Sequence, residues 1–511
     1  MNITLISLYS VFTAIGLRII SSSLKMAGHN VRLVFMPKEA DLIFDKGFRF
    51  RYLPEKISKE YDEKTINSLL ELLKKSDLIG MSLSTNFFEA ATQVTKAIKK
   101  ELNIPIVWGG IHPTVSPEEC LEYADFVCRG EGEEAMVELA EKIEKKEDYY
   151  NVKNICFKDN KGNFVINPVR PLIQDLDSIP FQDFDFKNQY VITKGESHKI
   201  NEKIILDDNI WPFNREDSPI YRIMFTRGCL FGCTYCCNNF INNLYSGQKI
   251  FRKRSVDNVI EELKMVKNNL SFINFIMFSD DNFLGLSLEE IKEFSEKYKK
   301  YIKIPFCLSG VHPTIVDREK FKYLTDAGLS GIRMGIQSGN DRIKKMYKRY
   351  YSNSKLKESC EILNEFKDKI VVKHYDLILG NPWETEDDLI KTLMLLSSLP
   401  VPYELVLFFL TFFPGTELYD LAKKDGFIGN ELENVYRKNY WEYPSGSISY
   451  VNKLFVLLKN SAELGVKISP KIMFLLTNRV FRRLGLSLLL YYFLVFRVIL
   501  VKLYRKPVTN F

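Results

Sequence analysis

The chain has 511 residues, of which 46% are hydrophobic and 26% are charged. That length exceeds a single ordinary core and suggests two or three domains, while the composition excludes a disordered chain. The net charge of +7 is too small to indicate nucleic-acid binding, so no nucleic-acid partner is expected.

The first 147 residues alternate short apolar segments with amphipathic helical patterns. Helices are predicted over segments such as Phe87–Leu102, where apolar residues recur at helical spacing. Alternation of strand and helix is typical of a parallel, doubly wound (Rossmann-like) α/β sheet, which binds ligands at the carboxyl ends of its strands. The predicted strands are Ile3–Leu8, Val31–Met36, Leu78–Ser82, Ile104–Trp108 and Phe126–Arg129.

Glycine-rich segments follow two of these strands. Gly109 and Gly110 come directly after the fourth predicted strand, and Gly130 and Glu131 come directly after the fifth. Glycine at a strand end lets the backbone approach a flat or bulky ligand. The same residues also form ordinary strand–helix turns, so both interpretations stand at this point.

Residues 148–219 are predicted to be a connector. Two short apolar segments flank Asp159-Asn160-Lys161-Gly162, which predicts a β-hairpin, and the prolines that follow interrupt any periodicity. From residue 220 to about 430 strands again alternate with helices, enough for a partial (β/α)6 barrel. These strands are predicted at Arg222–Thr226, Phe272–Phe278, Phe306–Ser309, Gly331–Gly335, Val371–Ile378 and Glu404–Leu410. Residues 431–511 are predicted to be mostly helical.

Four of the nine cysteines crowd together after the first barrel strand. Cys229, Cys233 and Cys236 can face one centre from a single loop, and Cys237 follows directly. Clustered thiols in a reducing compartment favour metal ligands over disulfides. Three thiolates leave one iron of a [4Fe–4S] cube open, whereas electron-carrier cubes use four. A zinc site and a cube closed by Cys237 are the alternatives; no second ligand pair for zinc follows.

This spacing, Cys-x3-Cys-x2-Cys with an aromatic residue before the last cysteine, resembles the radical S-adenosylmethionine (SAM) superfamily over residues 220 to about 430. The resemblance implies that Cys229, Cys233 and Cys236 hold a [4Fe–4S] cluster whose open iron binds SAM. Further SAM contacts are implied at Tyr235, Asp281, Gln337 and Ser338. It also implies cleavage of SAM to a 5′-deoxyadenosyl radical, with electrons from a donor such as flavodoxin or ferredoxin.

A doubly wound domain before such a barrel resembles the cobalamin-binding radical SAM proteins called class B methylases. That resemblance implies a cobalamin-dependent methyltransferase acting on an unactivated carbon of a small molecule or a lipid. His112 lies outside the motif that supplies a cobalt ligand elsewhere, so none is expected from it. Cobalamin contacts are implied at Ser82, Ser84, Gly109, Gly110, Gly130 and Glu131. The alternatives are radical cyclisation, rearrangement or C–C coupling, and, in another class, an iron–sulfur electron carrier or corrinoid-binding sensor.

The C-terminal region is basic and apolar. No acidic residue follows Glu463, whereas nine Lys and Arg residues do. Between Arg483 and Arg497 lie thirteen residues without a charge, too few for a membrane span of about twenty. Either a basic helix lies in the membrane interface or it packs on the barrel. The expected location is the cytoplasm, with peripheral contact at the inner face of the membrane if the first interpretation holds.

Overall fold

The computed structural model describes residues 1–9, 14–37, 60–204, 219–438 and 449–504. They form two compact units. The first comprises Met1–Ile276 together with Thr411–Asn439, and the second comprises Met277–Leu410 together with Tyr440–Phe511. The chain therefore leaves the first unit and later returns to it.

The first unit is built on a nine-stranded sheet. Its parallel centre, β2-β1-β3-β4-β5, has a doubly wound order in which the chain changes direction across the sheet between β1 and β3. The predicted doubly wound fold is confirmed. In chain order the strands are β1 (Asn2–Ser7), β2 (Asn30–Phe35), β3 (Leu78–Ser82), β4 (Ile106–Gly109), β5 (Phe126–Cys128), β6 (Ile155–Lys158), β7 (Phe164–Ile166), β8 (Gln189–Thr193) and β9 (Glu196–Lys199). Their spatial order is β7-β6-β5-β4-β3-β1-β2-β8-β9.

Helices pack on this sheet through apolar stripes. In the third helix Ala91, Val94 and Ile98 are fully buried, because residues three and four positions apart share one helix face. Burial of each such Val or Ile side chain contributes about 1.5–3 kcal/mol. The helices are α1 (Ile15–Met26), α2 (Glu63–Leu73), α3 (Phe88–Glu101), α4 (Ile111–Val115), α5 (Pro117–Leu121) and α6 (Glu133–Lys145).

Strands from the connector extend both edges of the sheet. β6 and β7 form the predicted hairpin, with Cys156 opposite Ile166, and β6 pairs antiparallel with β5. β8 and β9 were not predicted; β8 runs parallel to β2, and β9 pairs antiparallel with β8. Each of these strands has only four or five residues, too few for periodicity to identify between the surrounding prolines and aspartates.

A six-stranded sheet supplies the barrel, and all six predicted strands are present. Their spatial order follows the chain: β10 (Ile220–Ile223), β13 (Phe275–Phe278), β14 (Phe306–Val311), β15 (Leu329–Gln337), β16 (Val372–Leu379) and β17 (Glu404–Phe409). The pairs β14–β15, β15–β16 and β16–β17 are parallel. A short antiparallel ribbon lies in the first unit, formed by β11 (Thr226–Arg227) and β12 (Arg252–Lys253). The predicted partial barrel is confirmed.

The remaining helices alternate with the barrel strands and then follow them. The helix Leu288–Tyr301 begins after Ser287, because Ser287 and Glu290 form a capping box that fixes its start. The helices between the strands are α7 (Cys237–Leu244), α8 (Val256–Asn269), α9 (Leu288–Tyr301), α10 (Arg318–Ala327), α11 (Asp341–Met346), α12 (Asn353–Glu365), α13 (Glu386–Ser398) and, after β17, α14 (Glu417–Lys424). The C-terminal helices are α15 (Tyr450–Glu463), α16 (Pro470–Thr477), α17 (Arg479–Arg483) and α18 (Leu486–Tyr504).

Candidate cofactor and active site

Three of the clustered cysteines lie on one loop between β11 and α7. The loop opens at Gly228, whose φ is +88°; a Cβ there would lie 2.2 Å from the carbonyl oxygen of Ile250, so only glycine fits. Cys229 and Cys233 are 9% and 7% exposed, and Cys236 is half-buried at the N-cap of α7. The predicted cluster ligands therefore share a single, largely shielded loop.

Amide side chains of α7 fix the backbone of this loop. Asn242 Nδ2 donates to the carbonyl oxygen of Cys229 at 3.0 Å, and Asn239 Nδ2 donates to that of Gly232 at 3.0 Å. Asn239 Nδ2 also donates to Glu417 Oε1 at 3.0 Å. The helix that follows the cysteines thus satisfies buried backbone carbonyls of the loop.

The segment that returns to the first unit after β17 closes over the same loop. The backbone N–H of Leu418 donates to the carbonyl oxygen of Thr234 at 3.0 Å. At Gly415, with φ +78°, a Cβ would lie 2.8 Å from a Val115 side-chain carbon and 3.1 Å from one of Phe240. The loop is therefore held between α7 and residues that follow the last barrel strand.

The donor set of this loop fits an iron–sulfur cube better than a single metal ion. Within the described ranges no three His, Cys, Asp or Glu side chains could together hold one ion. A zinc site needs that convergence, whereas in a cube each thiolate binds a different iron. Cys229, Cys233 and Cys236 therefore remain the predicted cluster ligands, and Tyr235, a predicted SAM contact, is half-buried beside them.

Ion pairs connect the base of the cysteine loop to the nine-stranded sheet. Arg227, two residues before Cys229, lies 3.1 Å from Glu131 and 2.7 Å from Glu133. Arg252, which is 5% exposed, donates to both oxygens of the Glu131 carboxylate at 2.8 and 3.0 Å. Burial works to lower the pKa of Arg227, but the two carboxylates outweigh it and raise the pKa. Arg227 therefore stays protonated, and its ion pairs connect β11 to the loop after β5.

Glu131, predicted as a cobalamin contact, has its carboxylate occupied by protein donors. Besides Arg227 and Arg252, the backbone N–H of Ile173 donates to its Oε2 at 2.9 Å. The sequence does not predict these contacts of Glu131, because nothing in the spacing of Arg227 or Arg252 indicates which carboxylate each arginine pairs with. Glu131 therefore acts first as the joint between the two parts of the unit.

Two of the predicted cobalamin glycines make room for protein groups. Gly130 has φ +71°, and a Cβ there would lie 1.9 Å from the hydroxyl oxygen of Tyr245. Gly110 has φ +99°, and a Cβ there would lie 2.7 Å from the carbonyl oxygen of Leu83. Both positions require glycine for the fold itself, whatever they contact in addition.

Small residues remain partly exposed at the carboxyl edge of β3 and β4. Ser82, Ser84 and Gly109 are each half-buried, beside the point between β1 and β3 where doubly wound sheets bind ligands. A corrinoid is a flat ring bordered by amide side chains, so hydroxyl groups and bare backbone at a sheet edge fit it chemically. The loops 10–13 and 38–59, which follow β1 and β2, lie outside the described residues.

His112 is a buried group of the first unit. Its Nδ1 lies 3.2 Å from Thr85 Oγ1, its Nε2 lies 3.6 Å from Glu119 Oε2, and the Tyr436 ring meets it edge-on at 5.6 Å. The residue is completely inaccessible, and burial lowers its pKa to about 4. His112 is therefore neutral at pH 7. That it does not ligate cobalt stays a prediction.

In the second unit, β15 ends in a strained residue. Gln337 has φ +65°, and its Oε1 is buried without a hydrogen-bond partner among the described residues. The Arg349 guanidinium donates to the carbonyl oxygen of Gly335, next to the same turn. A non-glycine residue in this region costs of order 1–3 kcal/mol and is found mainly at functional sites. The turn therefore fits the predicted SAM contact at Gln337.

The other predicted SAM contacts of this unit differ in exposure. Ser338 is 1% exposed; its Oγ accepts from the backbone N–H of Asn340 at 3.2 Å and lies 3.3 Å from Thr392 Oγ1. That hydroxyl is part of the turn's own hydrogen bonds. Asp281 is exposed, whereas Asp280 beside it is 1% exposed. The predicted contact at Asp281 is thus the more accessible of the two aspartates, because adjacent residues at a strand end point in different directions.

The five cysteines outside the cluster pack in the interior. Burial raises the pKa of Cys128 and Cys360 to about 12 and that of Cys156 to about 11, so these thiols stay protonated and unreactive. Cys307 is the second residue of β14, away from the carboxyl end of that strand. The buried set is Cys120, Cys128, Cys156, Cys307 and Cys360.

Two family models match the chain, one on each side of the connector. The B12 binding domain matches residues 1–140, which form the parallel part of the nine-stranded sheet and its helices. The Radical SAM superfamily matches residues 223–396, from the end of β10 through α13. The second match includes the cysteine loop.

Curated relatives match over most of the chain. A protein described as an uncharacterized methyltransferase from Pyrococcus horikoshii is 26% identical over 388 residues, 73% of this chain and 77% of the relative. Bacteriochlorophyllide d C-8(2)-methyltransferase from Chlorobaculum tepidum is 23% identical over 367 residues, 69% of each chain.

Solved structures share the fold. TsrM from Kitasatospora setae, a radical SAM methyltransferase solved with cobalamin and a [4Fe–4S] cluster, has a TM-score of 0.58 and 15% identity; the match covers 83% of this chain and 75% of TsrM. The cobalamin-dependent SAM radical enzyme OxsB has a TM-score of 0.66 and 16% identity; that match covers 97% of this chain and 75% of OxsB. At such identities the likeness shows the fold and not a shared substrate.

Proposed function

The chain belongs to the radical SAM superfamily and carries a B12-binding domain, and from this premise we propose that it is a cobalamin-dependent methyltransferase. The observation that carries the proposal is the position of the three-cysteine loop. Arg227 at its base is paired with Glu131 and Glu133 from the loop after β5. The expected cluster ligands and the sheet expected to hold the corrinoid thus belong to one compact unit. Two curated relatives matched over 69% or more of the chain are named methyltransferases.

In this proposal the protein holds and shields its cofactors. Cys229, Cys233 and Cys236 would hold a [4Fe–4S] cluster through three of its irons, and the iron without a thiolate would be open to SAM. When bound, the cluster passes on the electron that cleaves SAM to methionine and a 5′-deoxyadenosyl radical, and the corrinoid carries the methyl group. The burial of Cys229 and Cys233 excludes water and oxygen from the thiolates. A low-potential donor such as flavodoxin or ferredoxin supplies the electron.

The structure ranks the predicted contacts. Gln337 is the best-supported SAM contact of the second unit, because it combines a strained backbone with a buried amide oxygen that has no described partner. In the first unit Ser82, Ser84 and Gly109 are the best-supported cobalamin contacts, because they are partly exposed at the carboxyl edge of β3 and β4. Glu131 ranks below them, since its carboxylate is already bound.

The test begins with full-length protein purified without oxygen. We expect an iron–sulfur spectrum together with a corrinoid spectrum, and a Mössbauer spectrum in which added SAM changes one iron site. Cys229→Ser should lose the cluster, whereas the matched control Cys237→Ser should keep it. Incubation with methyl-labelled SAM, a strong reductant and a small-molecule extract should give a labelled product heavier than its precursor by one methylene unit.

Each alternative predicts a different result in the same assay. 5′-Deoxyadenosine without a labelled product, from protein that lacks a corrinoid, would favour radical cyclisation, rearrangement or C–C coupling. Full protein ligation of all four irons, with no SAM cleavage under strong reductant, would favour an electron carrier. A corrinoid spectrum without SAM cleavage would favour a sensor.

We also propose that the C-terminal region contacts a membrane surface. The window Leu486–Leu503 of α18 has a mean hydropathy of 2.1, and only 17% of it is buried. Leu494 and Val498 are buried, whereas Leu489, Phe493 and Phe496 are 60–69% exposed. A surface helix in water places polar residues outward, so an apolar outer face indicates an apolar environment.

Charge and length favour contact with an anionic interface. The segment after Glu463 has nine basic residues and no acidic residue, and this positive charge suits anionic lipid headgroups. Arg479 and Arg482 pair with Asp387 and Glu386, and Arg505 and Lys506 lie outside the described residues. At 19 residues the helix is longer than the predicted uncharged segment and about 28 Å in length. Arg497 within the helix, and the burial of one face in the second unit, favour lying in the interface over spanning it.

Vesicle flotation tests this contact on the full chain. We expect the protein to float with phosphatidylglycerol vesicles and less with phosphatidylcholine vesicles. The double variant Phe493→Glu with Phe496→Glu should stay in the dense fraction. Tyr350→Glu is the matched control, since Tyr350 is 72% exposed on another part of the unit. Equal flotation of the double variant and the control would contradict the proposal.

A further inference from the structure

The interior face of the barrel carries ionisable side chains where barrels usually pack branched apolar residues. Arg333 of β15 is in register with His374 of β16, and His374 is in register with Glu404 of β17. The three therefore lie in one row across three parallel strands. Asp376 lies two residues further along β16 on the same face, because side chains alternate along a strand.

The opposite face of the same strands is packed and mostly apolar, although the buried Lys373 of β16 also lies on it. Met334, Tyr375 and Leu405, the next residue on each strand, are in register with one another and at most 1% exposed. Tyr375 interacts there with Cys360 of α12. That face meets the helices, so the face bearing Arg333 is directed into the barrel.

Arg333 is oriented by two neighbours through one edge of its guanidinium. Its Nε donates to both carboxylate oxygens of Asp376, at 3.0 and 2.9 Å. Its central carbon lies 5.1 Å from the centroid of the Phe408 ring, a stacking contact that suits a planar cation. Within the described residues no group accepts a hydrogen bond from Nη1 or Nη2, and the side chain is 20% exposed. Nη1 and Nη2, the two donors best placed to bind an oxyanion, therefore have no acceptor among the described residues.

A second ionisable pair lies beside it. His374 Nε2 is 2.9 Å from Glu404 Oε2; the histidine side chain is 3% exposed and the glutamate side chain 25%. Charged groups inside a barrel cost desolvation energy that packing residues would avoid. Two adjacent pairs, each with one partner open to the interior, indicate a surface built to meet a polar ligand.

We propose that Arg333 is the anion anchor of the substrate: its Nη1 and Nη2 groups take a carboxylate or phosphate group of a small molecule bound inside the barrel. Two parallel N–H···O bonds from a guanidinium match the oxygen spacing of either group. Asp376 and Phe408 are positioning residues that keep the open edge of Arg333 directed inward. The inference rests on the proposed function for the identity of the ligand as substrate, and on the geometry alone for the anion site.

A protection experiment tests the anion site independently of the reaction. Phenylglyoxal labels accessible arginines, and peptide mass spectrometry of the anaerobic holoenzyme reports the rate at each one. We expect acetate, inorganic phosphate or both to slow the labelling of Arg333 by about fivefold or more, and the stronger protector identifies the group preferred. Arg483, which is exposed, is the internal control and should be little affected. Labelling of Arg333 that no anion slows, or no labelling at all, would overturn the proposal.

A labelled-methyl assay then tests whether the anion belongs to the substrate. We expect the labelled product to be retained by an anion exchanger, and Arg333→Gln to lower the ratio of product to 5′-deoxyadenosine by about tenfold. Arg333→Lys should recover part of this ratio, and Arg318→Gln, at an exposed pair with Glu365, should not change it. A cationic or neutral product would overturn the substrate assignment. No labelled product from wild-type protein would contradict the proposed methyl transfer, while the protection experiment still decides the anion site.

Discussion

Replacement of Glu131 by Gln tests the joint between the cysteine loop and the nine-stranded sheet. The carboxylate of Glu131 accepts from Arg252 at 2.8 and 3.0 Å and from Arg227 at 3.1 Å. Arg227 keeps Glu133 at 2.7 Å, but Arg252, 5% exposed, loses its counter-charge. Removal of one partner from a buried ion pair lowers the unfolding free energy by about 3–5 kcal/mol. The amide oxygen of the new glutamine can still accept a hydrogen bond, so we expect a loss near the lower limit, about 3 kcal/mol.

Denaturant unfolding without oxygen, followed by circular dichroism and by the absorbance of the iron–sulfur cluster, measures this loss. Glu134→Gln is the matched control: it removes the same charge nearby, but Glu134 is 65% exposed and lies 3.5 Å from Arg170. Because Glu134 is exposed and Arg170 keeps its ion pair with Glu138, the loss of this pair should cost at most about 1 kcal/mol of unfolding free energy. Equal unfolding free energies for the two variants would refute the claim that Glu131 is a buried joint.

Three further substitutions test single features of the fold by the same unfolding measurement. Gly130→Ala should lower the unfolding free energy by about 3 kcal/mol, because φ is +71° and the new Cβ would clash with the Tyr245 hydroxyl. Adding Tyr245→Phe removes that hydroxyl and should restore part of the unfolding free energy. If it restores none, the whole cost comes from the backbone conformation. Burial lowers the pKa of His112 to about 4, so the unfolded state takes up a proton first as pH falls. The unfolding free energy should therefore fall by about 3 kcal/mol between pH 6.5 and 4. His112→Asn should reduce this dependence of the unfolding free energy on pH. An unchanged pH dependence would contradict the claim that His112 is buried in its neutral form. Lys373 is 3% exposed, and burial lowers its pKa to about 8. Lys373→Met should stabilise by about 2 kcal/mol at pH 7, with the gain shrinking as pH rises toward 10, and a destabilised variant would show that the amine is bound.

Periodicity and spacing predicted most of the fold and the centre of the site. The six barrel strands and the parallel strands of the first sheet were recognisable because each combines a short apolar run with a following amphipathic helix. Cys229, Cys233 and Cys236 form a recognisable candidate ligand set because residues on one loop are close in sequence as well as in space. The hairpin around Asp159-Asn160-Lys161-Gly162 was recognisable because turn chemistry is local.

What the sequence did not predict depends on contacts between distant residues. No sequence feature near Glu131 indicates that it pairs with Arg227 and Arg252. The sequence therefore predicts only a ligand contact at Glu131. The inward row of Arg333, His374 and Glu404 became visible only when strand register put the three side by side. The sequence predicts a ligand contact at Gly130, which stays a prediction, but it does not indicate that the Tyr245 hydroxyl also lies beside this glycine.

The discontinuity of the first unit has a consequence for biosynthesis. The cysteine loop is covered by Gly415 and Leu418, and a ribosome that adds about 5–20 residues per second needs roughly 10–40 s to reach them after the cysteines. During that interval the nascent thiols lack their cover. We expect cluster insertion to follow release of the chain, and thiols of growing chains to depend on reducing surroundings until the late segment folds back.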